Sequence, residues 1–131
     1  MTNPQQDDSH ENIALYGGSF DPVHLGHMAV ARAAAERFEL ARVYFVPADV
    51  QPLKSQQRVT NFYHRHAMLA LALEGEARFV PSLLEAPEIV RATGKPASYT
   101  VDTVARMRAR MKAGTRLYFL IGMDAFAYVA K

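Results

Sequence analysis

The chain has 131 residues, of which 50% are hydrophobic and 21% charged, with a net charge of +2 at pH 7 and no cysteine. This length fits one globular domain, the lack of cysteine excludes disulfides and thiolate chemistry, and the mild charge argues against a nucleic-acid groove. The polar N-terminus lacks the pattern of a signal peptide, and no apolar run approaches the roughly 18 residues that a membrane helix needs. We therefore expect a cytoplasmic single domain with neither nucleic acid nor membrane as a partner.

The first half of the chain alternates between short apolar runs and a longer periodic one. NIALYGG predicts a buried strand at 12–18, and the apolar periodicity of HLGHMAVARAAAERF predicts a helix at 24–38. RVYFVP predicts a second strand at 42–47, where proline ends it. A polar loop follows at 48–59, and its unusual length is typical of a functional segment.

The second half repeats this alternation. A helix is predicted at 60–73, with Thr60 or Asn61 as its N-cap, and a strand bent at proline is predicted at 77–84. The polar segment 85–97 is predicted to be a long loop. A third helix is predicted at 98–112 and a fourth strand at 116–122. The basic residues of that third helix are expected to form a solvated face: Arg106, Arg108, Arg110 and Lys112.

Short dense strands that alternate with helices are typical of βαβ units and a parallel sheet. We predict an α/β fold with a doubly wound parallel sheet over residues 12–131, preceded by a disordered tail at 1–11. Ligands of such sheets bind at the carboxyl ends of the strands, where the strand order reverses. Four segments follow a strand or open a helix and are expected to face one crevice there: GGSFDPVHLGH, QPLK, SYT and IGMD.

Two of the five histidines, His24 and His27, lie three residues apart at the start of the first predicted helix. This spacing places both on one face of the first turn, where backbone N–H groups and the helix dipole favour a phosphate. Gly26 leaves the histidines unobstructed, and Gly17 and Gly18 allow a ligand to approach the backbone closely. A purely structural pair stays open on these residues alone, whereas the HExxH pattern of a zinc protease is absent.

The whole stretch GGSFDPVHLGH resembles the HxGH signature of the nucleotidyltransferases related to class I aminoacyl-tRNA synthetases. Within that superfamily the chain is most similar to the bacterial nicotinate-nucleotide adenylyltransferases, because FVPA with QPLK, RATGKPASYTVDT and LIGMDAF resemble further blocks of that family. The resemblance runs from about residue 13 to the end of the chain. It implies a Rossmann-like nucleotidyltransferase fold that transfers the adenylyl group of ATP to nicotinic acid mononucleotide, with Mg²⁺ as cofactor and with deamido-NAD and pyrophosphate as products.

The resemblance also implies which residues form the site. The groups at the ATP phosphates would be His24, His27 and Lys54. The other residues of the ATP pocket would be Gly17, Gly18, Ser19, Phe20, Gly122 and Asp124. The residues facing the nicotinate would be Ser98, Tyr99 and Thr100. No protein side chain is implied as a metal ligand. On the residues alone, a solvated lysine, a helix cap or a core position stays open for four of these: Lys54, Ser98, Tyr99 and Asp124.

The start of the third predicted helix also has a consequence for specificity. Free N–H groups and the positive end of the helix dipole favour a pyridine carboxylate over a neutral amide, by about 0.3–2 kcal/mol from the dipole alone. We therefore expect a preference for the nicotinate substrate over the nicotinamide one.

Two departures from the family pattern keep alternatives open. The lysine loop has QPLK where many relatives have PPHK, so Leu53 stands in place of a histidine. The Ser/Thr-rich motif that opens a later helix in the family is absent, and we expect the C-terminal part of the domain to be missing from this chain. The alternatives are phosphopantetheine adenylyltransferase, glycerol-3-phosphate cytidylyltransferase, or a nucleotide-binding remnant without turnover. A homodimer is left open.

Overall fold

The computed structural model describes residues 11–48, 61–94 and 100–121. In these ranges the strands are β1 (Asn12–Gly18), β2 (Arg42–Pro47), β3 (Phe79–Pro81) and β4 (Arg116–Ile121). The helices are α1 (Leu25–Arg37), α2 (Phe62–Ala72), α3 (Pro87–Ala92) and α4 (Thr100–Arg108). None of these described helices combines the length and the apolar character that a membrane-spanning helix requires.

The strands form one parallel sheet in the order β3-β2-β1-β4. Leu15 of β1 pairs with Tyr44 of β2 on one side and with Phe119 of β4 on the other. The chain moves outward from β1 through β2 to β3 and then returns to the opposite side of β1. The strand order therefore reverses at β1, and the carboxyl ends of β1 and β4 border the crevice where such sheets bind ligands.

Helices pack on both faces of the sheet because alternate residues of each strand point to opposite sides. Ala14 and Tyr16 of β1 belong to one buried cluster with residues of α1 and α2, including Met28 and Leu69. Leu15 belongs to a second cluster on the other face, with Met107 of α4 as a member. This arrangement confirms the predicted doubly wound α/β fold.

The bounds of β1 and β2 agree with the predicted strands at 12–18 and 42–47. The prediction of a loop over 85–97 is wrong, because the segment contains α3. Pro87 occupies one of the first two positions of that helix, where its fixed φ is compatible with helical backbone. Buried Ala86 and Val90 hold the short helix against the domain.

The third strand is shorter than the predicted range 77–84, because the chain turns directly after Pro81. Ser82 donates its N–H to the carbonyl of Phe45 at 2.9 Å, and its buried side chain accepts the N–H of Leu84 at 3.0 Å. The predicted tail at 1–11, apart from Glu11, and the final apolar segment at 123–131 lie outside the described residues.

The basic residues of α4 and its C-terminal extension are only partly a solvated face. Arg106 donates to the carbonyl of Leu84 at 3.1 Å, and Arg108 donates to the carbonyl of Thr115 at 2.7 Å. Arg110 is exposed, as expected. The expected solvated face is confirmed for Arg108, Arg110 and Lys112, which are exposed, and it is wrong for Arg106, which is half-buried.

His66 on α2 is a histidine whose pKa is shifted by burial. Its ring stacks on Phe62 with 6.2 Å between centroids, and its buried Nε2 finds no hydrogen-bond partner among the described residues. Desolvation lowers the pKa of His66 below its ordinary value of 6.5. The folded protein therefore binds a proton at this site less readily than the unfolded chain does.

Replacing His66 with leucine is expected to reduce the acid sensitivity of the fold. Since the unfolded chain binds the proton more readily, the free energy of unfolding rises with pH up to about 6.5 and falls as the pH drops below that value. Urea unfolding of the wild type and of His66→Leu at about pH 7.5 and pH 5.5 measures the difference. His64→Leu, at an exposed position of the same helix, is the control. Equal losses of stability in the wild type and His66→Leu would contradict the prediction.

Candidate active site

The loop between β1 and α1, residues 19–24, is a tight connection with unusual backbone geometry. Phe20 lies in the left-handed region with φ at 48°, and the bond between Asp21 and Pro22 is cis. A non-glycine residue in the left-handed region costs energy and is retained only where surrounding contacts fix it. The loop delivers His24 to the start of α1, at the carboxyl end of β1.

The first turn of α1 is capped by the two histidines themselves. His24 is the N-cap residue, and its Nδ1 accepts the N–H of Gly26 at 3.1 Å. His27 lies three residues further on, and its Nδ1 accepts the N–H of His24 at 3.0 Å. This reciprocal pair is a capping box in which imidazoles replace the usual Ser or Thr and Glu. Two of the N–H groups that the sequence suggested for phosphate binding are therefore used by the histidines.

This histidine capping box determines which imidazole nitrogens carry protons. A nitrogen that accepts a hydrogen bond carries no proton, so each neutral ring has its proton on Nε2. The two rings stack with 3.9 Å between centroids and an angle of 30° between planes. His24 is exposed and His27 partly exposed. The chain thus holds two Nε2–H donors side by side, the kind of group that binds phosphate oxygens.

The electrostatic surroundings of α1 also suit an anion. A capping box normally places a Glu in the first turn, where its charge offsets the positive end of the helix dipole. The first turn of α1 contains no acidic residue. The positive end of the dipole is therefore left to interact with a ligand.

A cluster of aromatic rings supports His27 from below. The Phe20 ring meets the His27 ring edge to face, with 4.8 Å between centroids, and packs in turn on Tyr16 and Phe45 at 5.4 and 5.5 Å. Phe20 is only 1% exposed. Neither its ring nor its backbone is therefore open to a ligand, and in this structure Phe20 supports His27 from within the core. Burial also raises the pKa of Tyr16.

The three glycines of the motif serve different purposes. A Cβ on Gly26 would lie 2.9 Å from Cε1 of His24, so only glycine leaves room for the capping ring. A Cβ on Gly17 or Gly18 would meet the rings of Phe119 and Phe20 at ordinary contact distances of 3.4 and 3.5 Å. Packing among the described residues therefore requires glycine at position 26 but not at positions 17 and 18.

A buried arginine connects the loop to the neighbouring strand. Nη1 of Arg65 on α2 donates to the carbonyls of Ser19 and Ala48, both at 2.8 Å. Sequence analysis missed this residue. Its position three residues after Phe62 and four before Leu69, both buried, places it on the inward face of the helix and could have indicated it.

The structure brings together part of the predicted site. His24, His27 and the backbone of Gly17, Gly18 and Ser19 lie at the carboxyl end of β1, and β4 ends beside them at Ile121, which pairs with Gly17. Thr100 is the first residue of α4. The remaining predicted site residues lie outside the described ranges: Lys54, Ser98, Tyr99, Gly122 and Asp124.

The described acidic and histidine side chains form no metal-binding cluster. Within the described ranges, no three or more of the residue types His, Cys, Asp and Glu come close enough together to hold an ion. The described part of the site thus offers hydrogen-bond donors and a helix dipole to a ligand. It is suited to an anion.

Residues 15–130 match the family model described as cytidylyltransferase-like, and the chain belongs to that family. It is 44% identical over 117 residues to a probable nicotinate-nucleotide adenylyltransferase of Solibacter usitatus, with 89% of this chain and 58% of that protein covered. A protein of Aquifex aeolicus with the same description is 42% identical over 112 residues, with 86% and 62% covered. The chain thus spans roughly half to three fifths of these relatives.

Solved structures agree on the fold. A nicotinic acid mononucleotide adenylyltransferase of Plasmodium falciparum, complexed with NaAD, superimposes with a TM-score of 0.64 at 21% identity. The alignment covers 87% of this chain and 52% of that one. A second structure of the Plasmodium falciparum enzyme, complexed with APC, gives a TM-score of 0.60. These similarities confirm the Rossmann-like architecture.

Gly26→Ala is expected to break the histidine capping box while α1 itself persists. The new Cβ would displace the His24 ring, and alanine favours helix over glycine by roughly 1 kcal/mol. Two-dimensional ¹⁵N NMR of histidine-labelled protein measures this, because loss of the accepted hydrogen bond changes the Nδ1 signal of His24. Leu25→Ala, at the highly exposed neighbouring position, is the control. An unchanged His24 spectrum in Gly26→Ala would refute the steric argument.

Proposed function

We propose that the protein transfers the adenylyl group of ATP to nicotinic acid mononucleotide, with release of pyrophosphate and deamido-NAD. The observation that carries this proposal is the histidine capping box, which leaves Nε2 as the N–H donor of both rings at the start of α1, beside the reversal point of the sheet. The names of the bacterial relatives supply the particular substrates.

The chemistry suits a site that offers donors rather than a nucleophile. The acceptor's phosphate is already mostly dianionic near pH 7, since the second pKa of a phosphate monoester is about 6. One of its oxygens attacks the α-phosphorus of ATP, a new P–O bond forms, and the bond from that phosphorus to the bridging oxygen of the β-phosphate breaks. No protein base is needed, so catalysis rests on positioning and on stabilising charge.

The two histidines would act on the phosphates during this displacement. Each Nε2–H would donate to an oxygen whose negative charge grows in the transition state, and the dipole of α1 would add to that stabilisation. Lys54 would contribute a further positive charge from the loop after β2. Because both Nδ1 atoms are held by the backbone, the donors are oriented before the substrate arrives.

Mg²⁺ belongs to the proposal as a companion of ATP. It would neutralise charge on the triphosphate and the leaving pyrophosphate. The described residues present no ligand cluster for it, so the protein groups named above would act on the phosphates directly.

The two ends of the substrates would meet different segments of the chain. Ser19 would contact the adenosine side together with Gly122 and Asp124, and the buried Phe20 would hold the loop beside His27. Gly17 and Gly18, which packing does not require, would let the nucleotide approach β1 closely.

Ser98, Tyr99 and Thr100 would face the pyridine ring at the start of α4. Asp102 already occupies the first turn of α4 and offsets part of its dipole. Selection of nicotinate over nicotinamide would therefore rest mainly on hydrogen bonds from the Ser98–Thr100 segment.

A related transfer is the second candidate, because the family description names cytidylyl transfer. This transfer would use phosphopantetheine or glycerol-3-phosphate as the acceptor, with ATP or CTP as the donor. Nucleotide binding without turnover is a separate alternative. We place the protein in the cytoplasm, and light scattering on the assayed sample would show whether it is a homodimer.

The proposal is tested with all candidate substrates in competition. The 131-residue chain receives Mg²⁺, ATP, CTP and the four acceptors: nicotinate mononucleotide, nicotinamide mononucleotide, phosphopantetheine and glycerol-3-phosphate. Mass spectrometry identifies the product. A parallel sample is a chimera in which this chain replaces the matching 117-residue stretch of the Solibacter usitatus relative.

Deamido-NAD as the main product, from either sample, supports the proposal. A different nucleotidyl product overturns the choice of acceptor or donor. No product from either folded sample overturns the proposed activity and favours binding alone.

His27→Ala is expected to lower kcat by about 100- to 1,000-fold, because removal of one preorganised donor to a developing oxyanion has an effect of this size in enzymes generally. The loss should fall on kcat more than on the KM for ATP, because the donor matters most in the transition state. Steady-state kinetics of the active sample measure both. His64→Ala, at an exposed position on α2, is the control. Turnover of His27→Ala near the wild-type rate would exclude the proposed role.

A further inference from the structure

Arg65 is the largest fully buried charged side chain among the described residues. It is 1% exposed, and its guanidinium lies 5.7 Å from the centre of the Phe62 ring. Burying a cation is costly unless hydrogen bonds compensate for the lost water. A core helix could carry an apolar residue here at no such cost, so the arginine calls for an explanation beyond packing.

The compensating bonds go to two segments that flank the candidate site. The Ser19 carbonyl belongs to the loop that leads from β1 to His24, and the Ala48 carbonyl follows the end of β2. The two segments also meet directly, since the N–H of Ala48 donates to the carbonyl of Gly18 at 2.8 Å. Arg65 therefore joins the ends of β1 and β2 at the edge where the site lies.

Arg65 holds the loop between β1 and α1, and this loop positions the Phe20 ring that packs against His27. Ser19 precedes Phe20, whose left-handed backbone directs its ring under His27. If the Ser19 carbonyl moved, Phe20 would be the first residue displaced, and the capping histidines would follow. A misplacement of about 1 Å at a catalytic group can cost 100-fold in rate.

We propose that Arg65 is a positioning residue for the phosphate-binding histidines, acting through the carbonyls of Ser19 and Ala48. It contacts the loop backbone rather than the substrate. The activity part of this inference rests on the proposed adenylyl transfer, whereas the geometric part does not.

Two substitutions separate charge from geometry. Arg65→Lys keeps the cation, but the shorter side chain with a single nitrogen head cannot reproduce the planar guanidinium geometry. Arg65→Met removes the charge and both hydrogen bonds of Nη1 at similar volume. Arg108→Met is the matched control, because Arg108 also donates to a backbone carbonyl, that of Thr115, at the opposite end of β4.

The activity measurement compares kcat and KM per folded molecule, with folding checked by circular dichroism. We expect kcat to fall by about 100-fold in Arg65→Met and by a smaller factor in Arg65→Lys, with much smaller changes in the KM for ATP. Arg108→Met is expected to retain the wild-type kcat even if it is less stable. A wild-type kcat in folded Arg65→Lys and Arg65→Met would overturn the inference.

A second readout needs no activity and also serves if Arg65→Met fails to fold. ¹⁵N NMR of the histidine rings, with amide hydrogen exchange at Ala48 and Gly26, reports the loop geometry in Arg65→Lys. We expect shifted His24 and His27 ring signals and faster exchange at both amides, with neither change in Arg108→Met. Unchanged spectra and exchange in Arg65→Lys would overturn the inference. If the wild type shows no adenylyl transfer but Arg65→Lys shows the expected changes in spectra and exchange, that result counts only against the proposed function.

Discussion

The histidine capping box at the start of α1 is the interaction on which the candidate site depends. Each ring uses one nitrogen to accept a backbone N–H, and so its other nitrogen is fixed as the N–H donor. Helix capping and the proposed phosphate binding would thereby use the same two side chains. The same bonds that begin the helix also orient the groups that would meet a phosphate, at little additional cost in side-chain entropy.

The rest of the architecture serves to place this helix start. The parallel sheet directs the carboxyl ends of its strands to one edge, and the reversal of strand order at β1 leaves space above that edge. The Phe20 ring packs against His27, and Arg65 on α2 holds the carbonyl of Ser19. These two contacts fix the position of the loop between β1 and α1. Scaffold and site are therefore linked through a few backbone carbonyls and one buried ring.

Local signals in the sequence predicted much of this structure. β1 and β2 were predicted with their observed bounds because dense apolar runs end at glycine and proline. α3 was missed because six residues carry too little periodicity to be distinguished from a loop. The histidine pair was predicted from spacing and family resemblance, but its reciprocal hydrogen bonds depend on side-chain rotamers. The role of Arg65 depends on contacts across 46 and 17 residues of sequence, which no local pattern contains.

The backbone of Phe20 has a consequence for how this sequence can be engineered. Its left-handed conformation costs about 1–3 kcal/mol for a residue with a side chain, and glycine would remove that cost. Glycine would also delete the ring on which His27 rests. Because this buried ring also packs on Tyr16 and Phe45, its loss would cost about 3–5 kcal/mol, more than the strain that glycine would relieve. Thermal stability and the candidate site therefore favour the same residue at position 20.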